Sequence, residues 1–332
     1  MTIREDILIE RIRKRIPSSR SKLLRVGIGD DAAVLRTSPG MEWVLTCDQF
    51  IEGVHFLAGV HPPNAVGYKA LARATSDIAA MGARPRLFLL GMALPAARTG
   101  RWLDGMLGGM ARAAKQLGLT LAGGDTARAT SAKGGVALGV TVLGEIRSGQ
   151  AVRRSGARPG DAVFVTGQLG AAQLGLELVL RGMHRQARWH RFLAAHYYPK
   201  IQVELGQWLA RRGLVSAMMD LSDGLSTDLS RLCRASGVGS LLYGDKIPAV
   251  LIPKGLQKIG DARQLALHGG EDYGLLFTVP ERSVVRIPRA MYGTRITRIG
   301  EIVAGRGVRI SGAGGRASKL APRGWDHFKT TR

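Results

Sequence analysis

The segment SAMMDLSDGLSTDLSRL, from Ser216 to Leu232, predicts a Ser-Asp-Gly turn that is followed by a helix. Three aspartates, Asp220, Asp223 and Asp228, lie in this segment, and no Lys or Arg precedes Arg231. Carboxylates gathered around a glycine turn need a cation, because like charges repel one another where water is excluded. The segment therefore poses the question of which cation neutralises them.

The composition is that of a globular protein with a large excess of positive charge. The 332 residues include 48 Lys and Arg against 25 Asp and Glu, a net charge of +23, and 45% are hydrophobic. This length allows two domains or one large one. The charge favours anionic partners at long range, but the basic residues are scattered and only 5% of residues are aromatic, which argues against base stacking. We expect no specific nucleic-acid partner.

Membrane and secreted classes are also disfavoured. The longest apolar run, LFLLGMALPAA (87–97), is shorter than the ~20 residues of a membrane helix and contains Gly91 and Pro95. The only cysteines are Cys47 and Cys233, so no CxxC pair exists for a zinc ribbon or a redox dithiol. The acidic residues of the N-terminal segment favour a first helix ending at Pro17 over a transit peptide. We expect a cytoplasmic protein without a membrane partner.

Hydrophobic patterning predicts an α/β (α+β) fold with two lobes. In the first half, predicted strands cover 43–47, 86–94, 119–125 and 134–146, and predicted helices cover 64–83 and 99–117. The Gly-, Arg- and Ser-rich segment 147–161 resembles a linker, so the predicted domains are 1–148 and 149–332. The second half has predicted strands at 162–167, 273–279 and 294–302, and a helix at 169–180 before a longer helical region to about Arg212.

Six short acidic motifs are distributed along the chain, mostly beside glycine or at strand ends, where the backbone can approach a ligand. They are GIGDDAAVL (27–35), TCDQFIEGVHF (46–56), ATSDIAAMGA (74–83), LAGGDTAR (121–128), DLSDG (220–224) and GGEDY (269–273). Each has a structural explanation when taken alone. Asp77 could pair with Arg73 on one helix face, Asp223 could cap a helix, and Asp125 could tighten a turn.

Together these motifs indicate a multi-metal site. Mg²⁺ prefers oxygen ligands and binds through a few carboxylates, waters and substrate phosphates. Several aspartate motifs that converge from distant segments therefore predict phosphoryl transfer, in which metal ions offset the charge of the transferring oxygens. The chain has no GxxxxGK[ST] loop, no HRD or DFG motif and no complete GxGxxG, so the familiar phosphate-binding loops are absent.

The motifs resemble, in order, those of the thiamine-monophosphate kinases, within the ATP-binding superfamily of aminoimidazole ribonucleotide synthetase. The resemblance rests on GIGDDAAV, TCDQFIEGVHF, YKALARATSDIAAMGA, LAGGDTAR, RRSGARPGD, DLSDGL, GGEDYGLLF and GWDHF, which span about Gly27 to Phe328. It implies that ATP and thiamine monophosphate react to give ADP and thiamine diphosphate. It also implies an N-terminal α/β domain that forms a homodimer, with a barrel of strands across the interface, and a C-terminal α/β domain that closes the active-site cleft.

The resemblance also implies site residues, matched motif by motif. The magnesium ligands would be Asp31, Thr46, Cys47, Asp48, Asp77, Asp125, Asp220 and Asp223. ATP would contact Gly124, Asp125, Arg154 and Ser222. Thiamine monophosphate would face His55, Glu271 and Trp325. No side chain is expected to act as a nucleophile.

Two positions depart from the family pattern. Cys47 stands where a hydroxyl residue is usual, and a thiol is a poor Mg²⁺ ligand, so the change is harmless only if the backbone carbonyl is the ligand. Gly274 stands where an acidic residue is usual. Two of the substrate residues have simpler explanations: His55 could be a core histidine and Trp325 an anchor for the tail.

Three alternatives remain at this level. Another superfamily member would use a different substrate; selenophosphate synthetase would need a reactive residue in the N-terminal segment, where no cysteine precedes Cys47. A metal-dependent phosphohydrolase would use similar carboxylates without an acceptor. A basic nucleic-acid binder would show a steep salt dependence and no ATP turnover.

Overall fold

The computed structural model describes residues 11, 14–16, 24–26, 34–35, 39–129, 135–312 and 316–325. Asp31 and most of the helix predicted before Pro17 lie outside these residues. The chain divides into two compact units. The first comprises residues 1–78 and 83–149, and the second comprises residues 79–82 and 150–332.

The first unit contains a four-stranded sheet and two long helices. Its elements are β1 (Leu24–Val26), β2 (Val34–Leu35), β3 (Met41–Ile51), α1 (Pro63–Ala80), β4 (Arg84–Leu94), α2 (Arg101–Leu117), β5 (Thr120–Arg128) and β6 (Ala137–Arg147). The strand order is β3-β6-β4-β5, while β1 and β2 form a separate antiparallel pair. β6 is antiparallel to both β3 and β4, and β4 is parallel to β5.

Helices α1 and α2 cross with their backbones in contact. A Cβ atom at Gly67 would overlap the carbonyl oxygen of Met106, and one at Gly109 would overlap that of Asn64. Glycine is therefore required at both positions of this crossing. α1 also packs on the sheet, where a Cβ atom at Gly144 of β6 would overlap the side chain of Ile78.

The face of this sheet that points away from α1 exposes apolar side chains. Leu45 is 66% exposed, Ile51 37% and Leu89 36%, and Cys47 is exposed beside them. The register pairs Cys47 with Thr141 and Thr141 with Leu89, so these side chains form one continuous surface. We call this surface the open face.

The second unit is built around a larger mixed sheet. Its elements are β7 (Ala162–Thr166), α3 (Ala171–Leu180), α4 (His190–Tyr197), α5 (Val203–Arg211), β8 (Ala217–Asp220), α6 (Leu225–Ser236), β9 (Gly239–Tyr243), α7 (Ala262–His268), β10 (Leu275–Val279), β11 (Ala290–Met291), β12 (Thr294–Val303), β13 (Gly307–Ser311) and β14 (Ala317–Lys319). The strand order is β14-β13-β9-β12-β7-β10-β8, with β11 paired to β12. Only the β9–β13 pair is parallel among the described ladders of this sheet.

The neighbouring strands β7, β10 and β8 are buried on both faces, which explains their mostly apolar sequences. Met219 packs into a core with Leu225 and Leu229 of α6. Met218, the preceding residue, packs into a second core with Leu205 and Leu209 of α5. Helices α6 and α5 therefore cover opposite faces of this sheet.

The mixed α/β fold that the sequence predicts is confirmed. One local difference concerns the helical region predicted to continue to about Arg212. It is interrupted between α4 and α5, where Pro199 lies, because proline has no amide hydrogen to donate and restricts the residue before it. No helix among the described residues is long and apolar enough to cross a membrane. The barrel across a dimer interface stays a prediction.

Candidate active site

Two of the predicted motifs, DLSDG and GGEDY, lie against each other in the second unit. β8 leads into the first motif, and the second leads into β10, which pairs with β8. Their loops extend this ladder, because Tyr273 N donates to Leu221 O (2.8 Å) and Glu271 N donates to Ser222 O (2.8 Å). Residues about 50 positions apart in the sequence therefore form one loop pair at the end of two buried strands.

Glycine makes this close approach of the two loops possible. A Cβ atom at Gly270 would lie 2.6 Å from Ser222 O. Gly224 has φ +102°, and a Cβ atom there would lie 2.8 Å from His268 O. Both Cβ–O distances are shorter than van der Waals contact. Gly224 also has a backbone conformation that residues with a side chain rarely adopt. The glycines beside the aspartates thus have a specific steric role.

Arg231 is the cation that pairs with two of the three aspartates between Ser216 and Leu232, Asp223 and Asp228. Its Nη1 donates a short hydrogen bond to Asp223 Oδ2 and a second one to Asp228 Oδ1 (3.1 Å). Asp228 is fully buried and also accepts from the backbone N of Asp223 (3.0 Å). Burial, followed by the charge of Asp223, raises the pKa of Asp228 to about 7.

The interpretation of Asp223 as a helix cap is wrong. Gly224 is the N-cap of α6, and no side chain accepts a hydrogen bond at that cap. Asp223 lies one position earlier and is partly exposed, while Asp220 ends β8 and is 3% exposed. Of the two acids predicted as metal ligands in this segment, one is therefore paired with arginine and the other is buried at a strand end.

Glu271 is held in an unusual backbone conformation beside a buried histidine. Its φ is +67°, a left-handed value that costs a non-glycine residue roughly 1 kcal/mol or more. His196 of α4 is fully buried, and its Nδ1 lies 3.2 Å from Glu271 Oε2. The contact fixes one oxygen of the carboxylate that the resemblance assigns to substrate binding.

The next residue, Asp272, has a structural role. Its carboxylate accepts hydrogen bonds from Gly170 N (2.6 Å) and Ala172 N (3.2 Å), at the beginning of α3. Asp272 therefore supplies the capping acceptor that the N-cap residue of this helix, a glycine, lacks. Burial raises the pKa of Asp272 to about 7 although these bonds lower it.

The C-terminal tail lies against the beginning of α6. Trp325 N donates to Asp223 O (3.1 Å), and Gly324 N donates to Thr227 Oγ1 (3.0 Å). The Trp325 ring is 48% exposed. The tail and one side of α6 enclose a cavity of about 220 Å³, which is lined by Thr227, Ser230, Arg231, Arg234, Pro322, Gly324 and Trp325.

In the first unit, three predicted metal ligands lie between β3 and α1. Thr46 Oγ1 donates to Asp77 Oδ2 (2.7 Å), and Arg73 Nε lies 3.3 Å from Asp48 Oδ2. The suggested Arg73–Asp77 pair does not form; Arg73 pairs with the strand instead. Thr46 and Asp48 lie on the face of β3 that α1 covers, so these polar groups are partly shielded from water.

Cys47 lies on the other side of the same strand. Because side chains alternate along β3, its thiol points to the open face, away from Thr46 and Asp48. Only its backbone remains beside those two residues. On β5, Asp125 is exposed, and a Cβ atom at Gly124 would overlap Leu90 O on the neighbouring strand.

His55 has a defined orientation in the loop after β3. Its Nδ1 accepts a hydrogen bond from Ile51 N (3.0 Å), so the proton of the neutral ring is on Nε2. The ring lies 5.5 Å from that of Phe50. By contrast, Glu52 has a structural role, because it accepts a hydrogen bond from Val136 N (2.9 Å).

Arg154 lies in the segment before β7 and is exposed. Its carbonyl oxygen accepts a hydrogen bond from Ser236 Oγ (3.2 Å) at the C-terminal end of α6. The same hydroxyl accepts from Gly156 N (3.2 Å). The backbone of this predicted ATP-binding segment is therefore anchored to α6 while the guanidinium group remains accessible.

The donor set fits magnesium by its chemistry. The described candidates offer carboxylate and hydroxyl oxygens, the ligands that hard divalent cations prefer. Asp48 and Asp223 are each already paired with an arginine, which shows that both carboxylates lie where a positive charge is stabilised. No three His, Cys, Asp or Glu side chains of the described ranges are grouped closely enough to hold one ion.

The sequence did not predict the observed partners of Asp48, Asp223 and Glu271, which are Arg73, Arg231 and His196. Arg231 follows Asp228 by three positions on one helix, a spacing that places the two side chains side by side, so this partner could have been found. Arg73 precedes Asp77 by four positions, and the same rule suggested the wrong acid. For His196 no signal existed, because it lies 75 residues before Glu271.

The chain matches two families, "AIR synthase related protein, N-terminal domain" over residues 29–146 and "AIR synthase related protein, C-terminal domain" over residues 158–312. It is 36% identical to the thiamine-monophosphate kinase of Bacillus subtilis over 311 residues, 92% of this chain and 94% of that protein. The crystal structure of thiamine-monophosphate kinase from Stenotrophomonas maltophilia has 35% identity and a TM-score of 0.80, covering 96% of this chain and 99% of that one. The structure "AaThiL complexed with AMPPCP and TMP" has 31% identity and a TM-score of 0.76, covering 99% and 100%.

Proposed function

Because this chain belongs to the thiamine-monophosphate kinase family, we propose that it transfers the γ-phosphoryl group of ATP to thiamine monophosphate, giving ADP and thiamine diphosphate. The observation that carries the proposal is the pairing of the DLSDG and GGEDY loops at the ends of β8 and β10. This pairing places Ser222, assigned to ATP, next to Glu271, assigned to the acceptor.

The reaction needs no protein nucleophile or general base. The acceptor is a phosphate monoester whose second pKa is about 6, so its oxygens are already ionised at neutral pH. The main barrier is the repulsion between two polyanions. Magnesium, when bound, would offset the charge on the transferring oxygens, and direct in-line transfer follows without a phosphoenzyme.

The chain's own residues would hold the metal ions. The proposed ligands are Asp31, Thr46, the backbone of Cys47, Asp48, Asp77, Asp125, Asp220 and Asp223. Thr46 restrains the Asp77 carboxylate through its hydroxyl. Arg73 and Arg231 hold the carboxylates of Asp48 and Asp223 in place until an ion binds.

Substrate positioning would fall to residues with fixed orientations. His55 Nε2 can donate a hydrogen bond because Nδ1 is already an acceptor. Glu271 is oriented by His196, and the half-exposed ring of Trp325 can cover an aromatic heterocycle. Gly124, Asp125, Arg154 and Ser222 would contact ATP.

The open face supports a homodimer. It exposes Leu45, Ile51 and Leu89 on adjacent strands, and a continuous apolar surface of this kind is typical of an interface. A second copy of the chain, related by a twofold axis, would bury the same surface on both partners. The two free cysteines agree with the predicted cytoplasmic location, which stays a prediction.

One assay tests the function. The purified protein is incubated with Mg²⁺ and ATP, with and without thiamine monophosphate, while ADP and thiamine diphosphate are both measured. We expect equal amounts of the two products, formed only when the acceptor is present. ADP formed at the same rate without acceptor would identify a phosphohydrolase instead. No turnover in any mixture would leave the nucleic-acid binder, which an oligonucleotide titration at several salt concentrations would then reveal.

A further inference from the structure

Four residues on one side of α6 form a polar stripe that lines the cavity under the C-terminal tail. Thr227, Ser230, Arg231 and Arg234 occupy positions i, i+3, i+4 and i+7, so they lie on one face of the helix. The opposite wall includes Trp325. Two guanidinium groups and two hydroxyls in one cavity form a site for an anion with several oxygen acceptors.

The two arginines of this cavity differ in their partners. Arg234 is exposed and makes no ion pair or side-chain hydrogen bond with any residue that the structure describes. Arg231 uses one nitrogen, Nη1, for both Asp223 and Asp228. Its Nε and Nη2 make no hydrogen bond within the described residues, and an arginine has five N–H donors in a planar fork. Both arginines therefore have donors left for a ligand.

Arg231 connects this cavity to the proposed metal ligand Asp223. A divalent ion and the guanidinium group compete for the same Asp223 oxygen, because each needs it as a partner. When an ion takes Asp223, Arg231 keeps its hydrogen bond to Asp228 and has more of its N–H donors available to the cavity. Binding of a metal ion at Asp223 should therefore raise the affinity of the cavity for an anion. Because such coupling is reciprocal, the anion should raise the affinity for the metal ion by the same factor.

We propose that this cavity is a binding pocket for a phosphate group of one of the two substrates, held by Arg231 and Arg234, and that Arg231 couples its occupancy to metal binding at Asp223. The proposal rests on the proposed function for the identity of the substrates. ATP and thiamine monophosphate both carry the required chemistry, so the experiment distinguishes them.

The first test measures equilibrium binding by calorimetry at fixed Mg²⁺ for wild type, Arg234→Gln and Arg212→Gln. Arg212 is an exposed arginine at the end of α5, on the opposite face of the sheet from α6, so its substitution is a control with the same change in charge. The probes are thiamine monophosphate against thiamine, and a non-hydrolysable ATP analogue against adenosine. Within each pair only the phosphorylated probe can use the pocket.

We expect Arg234→Gln to lower the affinity for one phosphorylated probe by about tenfold or more. Its affinity for the matching unphosphorylated probe should be unchanged, and Arg212→Gln should bind all probes like wild type. The affected pair identifies the source of the phosphate. Unchanged affinities of Arg234→Gln, or an equal loss of affinity in the Arg212→Gln control, would overturn the proposal that this pocket binds a phosphate group. Wild-type turnover is measured separately, so a failure of the pocket and a failure of the kinase function give different results.

The second test measures Mn²⁺ binding without any substrate, by electron paramagnetic resonance, in wild type, Arg231→Gln and Arg234→Gln. Both substitutions remove one positive charge from the same helix, but only Arg231 contacts Asp223. We expect Arg231→Gln to bind Mn²⁺ at least about threefold more tightly than Arg234→Gln. Equal or weaker binding would contradict the competition. Should Arg231→Gln fail to fold, Arg231→Lys, which has fewer donors, replaces it with the same expected direction.

Discussion

His196 and Glu271 form a contact between a fully buried imidazole and a strained loop residue, with Nδ1 and Oε2 3.2 Å apart. Glu271 also adopts φ +67°, so both its backbone and its side chain are fixed by the surrounding structure. A residue held in this way is ready to contact a ligand without reorganising. Through this pair α4, which contributes no predicted site residue, orients a residue that is predicted to bind the substrate.

Replacing His196 should therefore affect the acceptor and spare the nucleotide. We expect His196→Leu to raise the KM for thiamine monophosphate about tenfold, with the KM for ATP and kcat within about twofold of wild type, because Glu271 loses its orienting partner. His190→Leu, on the exposed side of the same helix, is the matched control. His196→Gln, which keeps a donor, should recover part of the loss. An equal rise in both KM values would show that the role is only structural.

Asp125 is the exposed acid of β5 that is assigned to both metal and ATP. Asp125→Asn keeps the shape of the side chain but removes its charge, so turnover should fall by at least about a thousandfold if the carboxylate binds a catalytic ion. The melting temperature should be unchanged, because the residue is exposed. Glu281→Gln, which removes an exposed carboxylate far along the sequence, is the control. Near-normal turnover of Asp125→Asn would remove this residue from the site.

Parts of this fold were predictable because local sequence and burial agree. The sequence predicts a strand at 162–167, and the structure has β7 at Ala162–Thr166, because a strand buried on both faces has a largely apolar sequence. α1 was predicted at 64–83 and found at Pro63–Ala80. The pattern before Arg212 predicts one longer helical region, whereas the structure has the separate helices α4 and α5, because Pro199 lies between them and cannot donate a backbone hydrogen bond.

The sequence was sufficient to predict the motifs of the candidate site, but not the residues that contact their side chains. DLSDG and GGEDY could be recognised by their sequence, but their pairing depends on β8 and β10 being neighbours in the sheet. Arg231, which pairs with Asp223, also pairs with Asp228 three positions earlier on α6, so spacing rules on one helix could identify it. The histidine that orients Glu271 comes from another helix, and only tertiary packing brings it there.

The open face predicts how the oligomer can be disrupted. Leu89→Glu places a charge at the centre of the exposed apolar surface on β4, so burying it against a second copy would cost several kcal/mol. We expect light scattering to show a dimer for wild type and a monomer for this variant at the same concentration. Leu180→Glu changes an even more exposed leucine of the second unit, and this variant should remain dimeric. A wild-type monomer at high concentration would contradict the interface.

The burial of the Asp272 carboxyl group leads us to expect a specific dependence of the protein's stability on pH. Burial raises its pKa from 3.8 to about 7, so between pH 4 and pH 7 the folded protein binds more protons than the unfolded chain. The protonated carboxyl group therefore stabilises the fold below pH 4, and this contribution is lost as the pH rises towards 7. The resulting decrease in the free energy of unfolding is at most about 4 kcal/mol.

The substitution Asp272→Asn removes this titration and keeps one acceptor for the first amides of α3. Melting temperatures of wild type should fall between pH 4.5 and 7, relative to those of Asp272→Asn, which should change less over the same range. Asp245→Asn, an exposed acid, should follow wild type. Parallel curves for wild type and Asp272→Asn would mean that this carboxyl titrates normally.

Gly274 stands where the sequence resemblance predicts an acidic residue, and its surroundings explain why introducing an acid should fail here. A Cβ atom at this position would lie 2.7 Å from Thr166 O and 3.1 Å from Thr166 Oγ1, and the latter accepts a hydrogen bond from Leu275 N (2.8 Å). A side chain would have to displace β7 from β10 at the point where the GGEDY loop begins its contact with DLSDG. The cost of such overpacking is about 1–3 kcal/mol.

We therefore expect Gly274→Ala and Gly274→Asp to lower the melting temperature by similar amounts, and Gly274→Asp to give no gain in affinity for Mg²⁺ or thiamine monophosphate. The double variant Gly274→Ala with Thr166→Ser separates the two obstacles. Its Thr166→Ser change removes only a methyl group from the facing side chain and leaves the backbone carbonyl in place. It should remain destabilised, since the nearer obstacle is the carbonyl oxygen. Higher activity of Gly274→Asp with unchanged stability would show that the strands separate easily and that the missing acid matters to this site.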